Sequence, residues 1–477
     1  MSCYLKVLIC AIVALAIWFS PVPDGLTPLT WHILAIFITT VVAFILQPLP
    51  VGAIALIAIS FIMLTGMMKT SEALKGFSST TVWLIVAAFL YAKGFIKTGL
   101  GRRIAYLLIR GFGGSSLRLG YTLALSDMII APATPSNTAR AGGILFPIVR
   151  SVSNSFGSEP DQGPRKIGAY LMQTVFHSNC LSSSMFMTAS APNALIVSLA
   201  ASTLFVDISW GMWTLSALVP GIIAFITMPL VIYKLYPPEI KKTPEAKALA
   251  QEELIKMGPV TRDERVTIGI FLLSLLAWST SKWTGLDATA VALSGVCLML
   301  MTRIITWQDV QSEKGAWDIL VWLGVMICMA DKLNQLGLFK WFAVTTSALF
   351  TGIPWEITLT VLLIVYCYSH YFFAGSTPHV VAMYAAFGSV SVAAGAPPMM
   401  AALSLAFVTN LMSGISHYGN GPAVIYYGEG YVSQREWWRL GFNRHVVEHC
   451  HLVRTGGGVV ENSWPVVSGL RQTSIKE

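Results

Sequence analysis

The chain has 477 residues, 55% of them apolar and only 11% charged, with a net charge of +8. Soluble domains carry about 25% charged residues, so too little charge is present to cover a globule of this size. A soluble enzyme, a disordered scaffold and a nucleic-acid binder are excluded, and the positive balance reads as the Lys/Arg bias of cytoplasmic loops. The seven cysteines form no C-x-x-C pair and mostly lie in apolar runs, as buried structural thiols do.

In chain order, apolar runs fall at about 5–19, 31–47, 51–68, 80–96, 168–190, 194–206, 214–236, 266–282, 287–305, 317–334, 341–351, 355–373 and 399–416. Each is read as membrane-embedded, since about 20 apolar residues span a bilayer. The first run is followed by a turn, Pro21-Val-Pro23-Asp24-Gly25, with no A-x-A site, and is predicted to be a membrane helix rather than a leader. Between Arg118 and Arg150 the chain is broken midway by Thr134-Pro135-Ser136-Asn137-Thr138. Arms of about 15 residues or fewer reach about 20 Å, short of a ~30 Å core. Arginine at both ends places both ends on one side. A re-entrant hairpin with its tip near the midplane satisfies both constraints; irregular backbone at that depth must line a cavity or be buried in protein.

The two halves repeat. Val82-Trp83-Leu84 and Gly99-Leu100 match Val321-Trp322-Leu323 and Gly337-Leu338; Thr138 matches Thr377; Ser190-Ala-Pro192-Asn193 matches Ser416–Pro422; Trp210/Trp213 match Trp437/Trp438. Paired Pro/Gly-interrupted segments at corresponding positions point to a transporter's binding site. The resulting division is an N-terminal helix and turn (1–30), a first repeat (31–236, hairpin near 119–149), a cytoplasmic connector (237–265), a second repeat (266–442, hairpin near 357–395) and a polar tail (443–477). The tail lacks the apolar run that the repeat requires. That loss motivates the hypothesis of a shifted reading frame from about Asn443, which an intact frame on resequencing would overturn.

A helix N-terminus offers unpaired N–H groups and about half a positive charge, which suits an anion. The hydroxyls and amide of Ser136, Asn137 and Thr138 add to this at the first tip, and Ser376 and Thr377 at the second. Two facing tips suit a dianion, and the breaks at Ser190–Asn193 and His417–Pro422 complete the site with Asn193, His417 and Asn420. Two residues past each tip threonine stand Arg140 and His379. An ionisable group at this depth is a functional hypothesis by default: Arg140 either neutralises a carboxylate or bonds carbonyls within the hairpin, and His379 is either a ligand or a packed, neutral ring. Asp127, Asp287, Asp331 and Glu356 read as span-end groups, and His177 and His370 as core residues. There is no G-x-x-x-x-G-K-[ST], H-E-x-x-H or G-x-S-x-G motif. Secondary transport or a channel remains, with no enzyme activity.

Thr134-Pro-Ser-Asn-Thr-Ala-Arg140 with Ala141-Gly-Gly143, Gly99-Leu-Gly-Arg-Arg103, Ala191-Pro-Asn193 and Tyr418-Gly-Asn-Gly-Pro422 resemble, as a set, the divalent anion:sodium symporter family. The resemblance covers about residues 20–442 and is nearest to bacterial citrate:succinate and tartrate:succinate antiporters and 2-oxoglutarate/malate translocators. It implies an all-α polytopic fold of two inverted repeats, each with a re-entrant hairpin and a broken helix. It also implies a homodimer in the bacterial inner membrane, whose transport part slides like an elevator against a scaffold. The substrate carboxylates would rest on Ser136, Asn137 and Thr138 and, in weaker form, on Thr377. The second tip reads Gly375-Ser376-Thr377-Pro378-His379 rather than Ser-Asn-Thr. This departure favours an exchanger of di- or tricarboxylates without a cofactor, with Arg140 and His379 as fixed positive charge. The alternatives are a sodium-coupled dicarboxylate symporter, with sodium near Ser136 and Asn137, an anion channel, and a membrane-embedded hydrolase for which neither Ser136 nor Ser376 has an evident base partner.

Overall fold

The computed structural model describes residues 2–347, 350 and 352–451, and every described element is helical. A helix satisfies its own backbone hydrogen bonds, as segments in lipid require. Among the described residues three helices are long and apolar enough to cross a membrane unaided: Pro28–Leu46, Thr80–Thr98 and Trp210–Leu235. Other apolar helices, such as Val51–Leu64, Ala288–Met301 and Pro398–Leu411, have only 14 residues. Several runs predicted as full spans are therefore shorter helices, and one of them, Pro398–Leu411, runs on into a 3₁₀ turn, Met412–Gly414.

The breaks recur at matching places in the two halves. Helix Ser116–Ile130 runs into a 3₁₀ turn, Ala131–Ala133, then an extended tip, then a π-helical segment, Ala139–Leu145, and helix Phe146–Ser155. In the second half helix Trp355–Tyr368 runs into a 3₁₀ turn, Ser369–Phe372, a tip, the short helix Ser376–His379, a π-helical segment, Val380–Tyr384, and helix Ala385–Ala393. Proline explains part of this: Pro132 and Pro135 lack the N–H that a continuing helix would need. The broken helices follow the same rule. Gly168–Met185 and Ala191–Leu199 are separated at Met187–Ala189, and Pro398–Leu411 and Gly421–Gly428 at Met412–Gly414. Pro192 and Pro422 each sit in the first turn after the break, where a missing N–H costs nothing.

Thr80–Thr98 and Lys314–Gln335 are the matching long helices ahead of the hairpins. Each gives way to the next helix at a glycine in the left-handed region, Gly99 (φ 74°) and Gly337 (φ 80°), a conformation that glycine adopts without steric cost. The connector contains helix Pro244–Met257, whose Ala246, Ala250 and Leu254 pack against helix Leu100–Phe112. Arg103 is buried there: its Nε donates to Glu264 Oε1 at 2.6 Å and its Nη1 to the Gly258 carbonyl at 2.9 Å. The motif arginine thus ties the connector to the first repeat. After Trp437-Trp438, helix Gln434–His451 continues across Asn443. Residues 452–477, most of the polar tail covered by the hypothesis of a shifted reading frame, lie outside the described residues.

Candidate functional site

The two hairpin tips and both broken helices meet at one cleft of about 330 Å³. Its lining includes Ser136, Asn137 and Thr138 from the first tip and Gly375, Ser376 and Thr377 from the second. Ala191 and Pro192 open one post-break helix, and Gly421, beside Asn420, opens the other. Four helical segments therefore begin at this cleft. Their unpaired N–H groups turn partial positive charge toward it, most fully at the starts of helices Ala191–Leu199 and Gly421–Gly428. The opposite wall is one face of helix Lys314–Gln335: Gly315, Asp318, Ile319 and Trp322, the spacing that places residues on one side of a helix.

The tips are held from behind. Ser136 Oγ accepts from the Ala139 N–H at 3.1 Å, an N-cap on the segment that follows. Asn420 Oδ1 caps the last broken helix through the Ala423 N–H at 2.9 Å. Ser376 Oγ is 2.7 Å from Ser413 Oγ. Gly421 lies so close to Thr138 that a Cβ there would collide with the threonine Oγ1. The first tip thus packs directly on the start of the second half's broken helix.

Four of the predicted ligands, Arg140, Asn193, His379 and His417, do not line the cleft. Arg140 is fully buried, and all five guanidinium N–H donors are used inside the protein. Nε donates to Asp127 Oδ1 at 2.9 Å, Nη1 to the carbonyls of Thr134 and Ala189 at 2.7 and 3.1 Å, and Nη2 to Ser182 and Ser183 at 3.2 and 2.8 Å. Asp127 also accepts from Asn179 at 3.1 Å and from Ser182. Asp127 is therefore a buried counter-ion, not a span-end group, and the charge of Arg140 is cancelled before it can act on a substrate. His379 is buried among Tyr366, His370 and Phe373, with Nε2 2.9 Å from Ser369 Oγ. His417 stands behind the break, where its Nδ1 accepts from Trp438 Nε1 at 3.0 Å. The reading of Arg140 and His379 as fixed positive charge facing the substrate is thereby corrected: burial gives each an internal role. Asn193 is also buried, donating to the carbonyls of Ser183 and Phe186 and accepting from Asn410 Nδ2 at 2.6 Å across the two halves.

The family described as the sodium:sulfate symporter transmembrane region matches residues 2–460. The chain belongs to this family. It is accordingly a multi-pass membrane transporter and not an enzyme. Among relatives, the Bacillus subtilis protein YflS, whose name proposes malate transport, is 47% identical over 464 residues, covering 97% of this chain and 95% of its own. Dicarboxylate transporter 1 of Arabidopsis thaliana chloroplasts is 43% identical over 93% of this chain and 80% of its own. The inner membrane protein YbhI of Escherichia coli is 39% identical over 91% and 93%. Two solved transporters share the fold at 11% identity: MtrF of Neisseria gonorrhoeae, with a TM-score of 0.57 over 83% of both chains, and YdaH of Alcanivorax borkumensis, with a TM-score of 0.55 over 85% of this chain and 88% of its own.

Sequence reasoning missed Asp127 and Asp318. The signal for Asp127 was present in the repeat. Thr377 follows Thr138 by 239 residues, and at the same offset His379 matches Arg140 and Tyr366 matches Asp127. Past the shorter insert the offset is 230, the separation of Pro422 from Pro192, which pairs Thr409 with Asn179. Tyr366 Oη lies 2.9 Å from Thr409 Oγ1, so Tyr366, His379 and Thr409 occupy the places of Asp127, Arg140 and Asn179.

Proposed function

We propose that this chain carries dicarboxylates across a bacterial inner membrane as an exchanger, with the cleft as its substrate site. The observation that carries this reading is the convergence of four helix starts and two hydroxyl-bearing tips on one cleft, which suits two carboxylates. The names of the Bacillus and chloroplast relatives support the substrate class, and that of YbhI the membrane. The dipoles and tip hydroxyls take the role first given to Arg140 and His379. Ser136, Asn137 and Thr138 hold one carboxylate, and Ser376 and Thr377 the other. The hairpins and broken helices move together, like an elevator, past helix Lys314–Gln335, within a homodimer.

Exchange is favoured by the second tip, where Gly375 and Ser376 stand in the places of Ser136 and Asn137 and provide neither amide for a cation. Sodium-coupled symport is the second reading; the family description and the Ser136 and Asn137 side-chain oxygens favour it. Uptake of labelled succinate into proteoliposomes separates the two. Uptake that requires internal dicarboxylate but not sodium supports exchange. Uptake that requires sodium but no preloading makes the protein a symporter. Passive flux with no counter-substrate and no saturation makes it a channel.

A further inference from the structure

Among the described residues the cleft's lining contains one ionisable side chain, and it is an acid, Asp318; no described lysine, arginine or histidine lines it. This is unexpected for an anion site. The one nearby guanidinium, Arg140, is matched by Asp127 in the interior. The electrostatics facing a substrate are thus the partial positive charge of the helix starts, chiefly Ala191–Leu199 and Gly421–Gly428, opposed by one carboxylate on the facing wall. Asp318 has a defined seat. It lies against the first turn of helix Val51–Leu64, where Gly52 has no Cβ; a Cβ there would fall onto Asp318 Oδ1. A negative charge at a helix start has the favourable sign, and the bare glycine gives the carboxylate room beside the cleft.

We propose that Asp318 is a specificity residue that filters substrates by charge, admitting dianions and rejecting trianions. The proposal rests on the carboxylate site described above. With one carboxylate on each tip, the middle of a bound dicarboxylate lies toward the wall that carries Asp318. A third carboxylate on that middle brings a like charge toward Asp318, with no cationic side chain in the lining to offset it. Because Asp318 is exposed to solvent in the open cleft, screening limits the effect to about fivefold per added substrate charge.

The test uses the whole chain in proteoliposomes, with succinate as the dianion and tricarballylate, at a pH where it is fully ionised, as the trianion. The readout is the ratio of the tricarballylate inhibition constant to the succinate KM. D318N lowers that ratio about fivefold, and D318E keeps the wild-type ratio. G52A, which displaces the carboxylate without removing its charge, shifts the ratio without abolishing discrimination. An unchanged ratio in D318N overturns the proposal. So does a D318N protein that loses sodium dependence at an unchanged ratio, because Asp318 is then a cation ligand. Should a variant fail to transport, the same ratio is read from ligand-induced thermal stabilisation in detergent. If wild-type protein neither carries nor binds succinate, the carboxylate site itself fails; if it does both and D318N discriminates as before, only the filter fails.

Discussion

The two hairpins share a plan and differ in what holds it. Behind the first tip is a buried network built on an ion pair: Arg140 bonds Asp127, two serines and two carbonyls. One of those carbonyls, Thr134, belongs to the tip, and the other, Ala189, to the neighbouring helix break. Behind the second tip the same places hold Tyr366, His379 and Thr409, linked by a hydroxyl pair and ring contacts. The first solution ties two loops together with charge, at the cost of desolvating both ions. The second uses aromatic packing and neutral hydrogen bonds. The same backbone feature can thus be anchored by charge or by packing. An arginine two residues past a binding tip is evidence of an anchor as readily as of a ligand.

The comparison is broken most severely at the ion pair. R140Q or D127N leaves one buried charge uncompensated and is expected to cost about 3–5 kcal/mol, measured as a large drop in thermal midpoint in detergent. H379Q removes one neutral hydrogen bond and is expected to cost about 1 kcal/mol; an equal effect of R140Q and H379Q would erase the distinction. Next comes the second tip's backbone. Gly375 has φ 133°, a region closed to most side chains, so G375S costs about 1–3 kcal/mol instead of restoring a Ser-Asn-Thr-like tip. Thermal unfolding and succinate uptake of G375S check this, and an improved transporter would contradict it. T138A is expected to raise the succinate KM about tenfold, the loss of one hydrogen bond to a charged group, with little change in thermal midpoint. The smallest effect lies outside the membrane. The Lys97 ammonium, 2.5 Å from Asp309, and the Thr306 N–H hold the Asp309 carboxyl at about 2. A depressed carboxyl contributes stability above its unfolded pKa and loses it as pH falls through its folded value. K97Q at neutral pH therefore shifts stability by only about 0.5 kcal/mol, as exposed pairs do, and a scan of thermal midpoint against pH shows the pair's contribution fading as pH falls from about 4 and gone by about 2.

Much of the site was legible because its signals are local. Pro135 and Pro192 announce breaks, arms too short to span announce a hairpin, and Ser136-Asn-Thr138 announces polar groups at a helix start. Those residues do line the cleft, together with Ser376, Thr377 and Asn420. What was misread depends on partners distant in sequence. Arg140 meets Ser182 and Ser183 more than 40 residues away, and sequence does not show whether a guanidinium faces a cavity or an aspartate. Asp318 lies 180 residues past Thr138, and nothing in its surroundings along the chain marks it as facing a tip.

The sequence by itself determined the membrane setting, the repeat, the two broken tips and the family. The membrane setting and the tips follow from composition or from spacing within a few turns of one segment, the repeat from the order of landmarks in the two halves, and the family from the resemblance of its motifs as a set. Only the tertiary structure decided which charges face the cleft. A charge in low-dielectric surroundings must be paired, and the pairing partner is chosen by packing. Packing set Asp127 against Arg140 in the interior and left Asp318 facing the cleft.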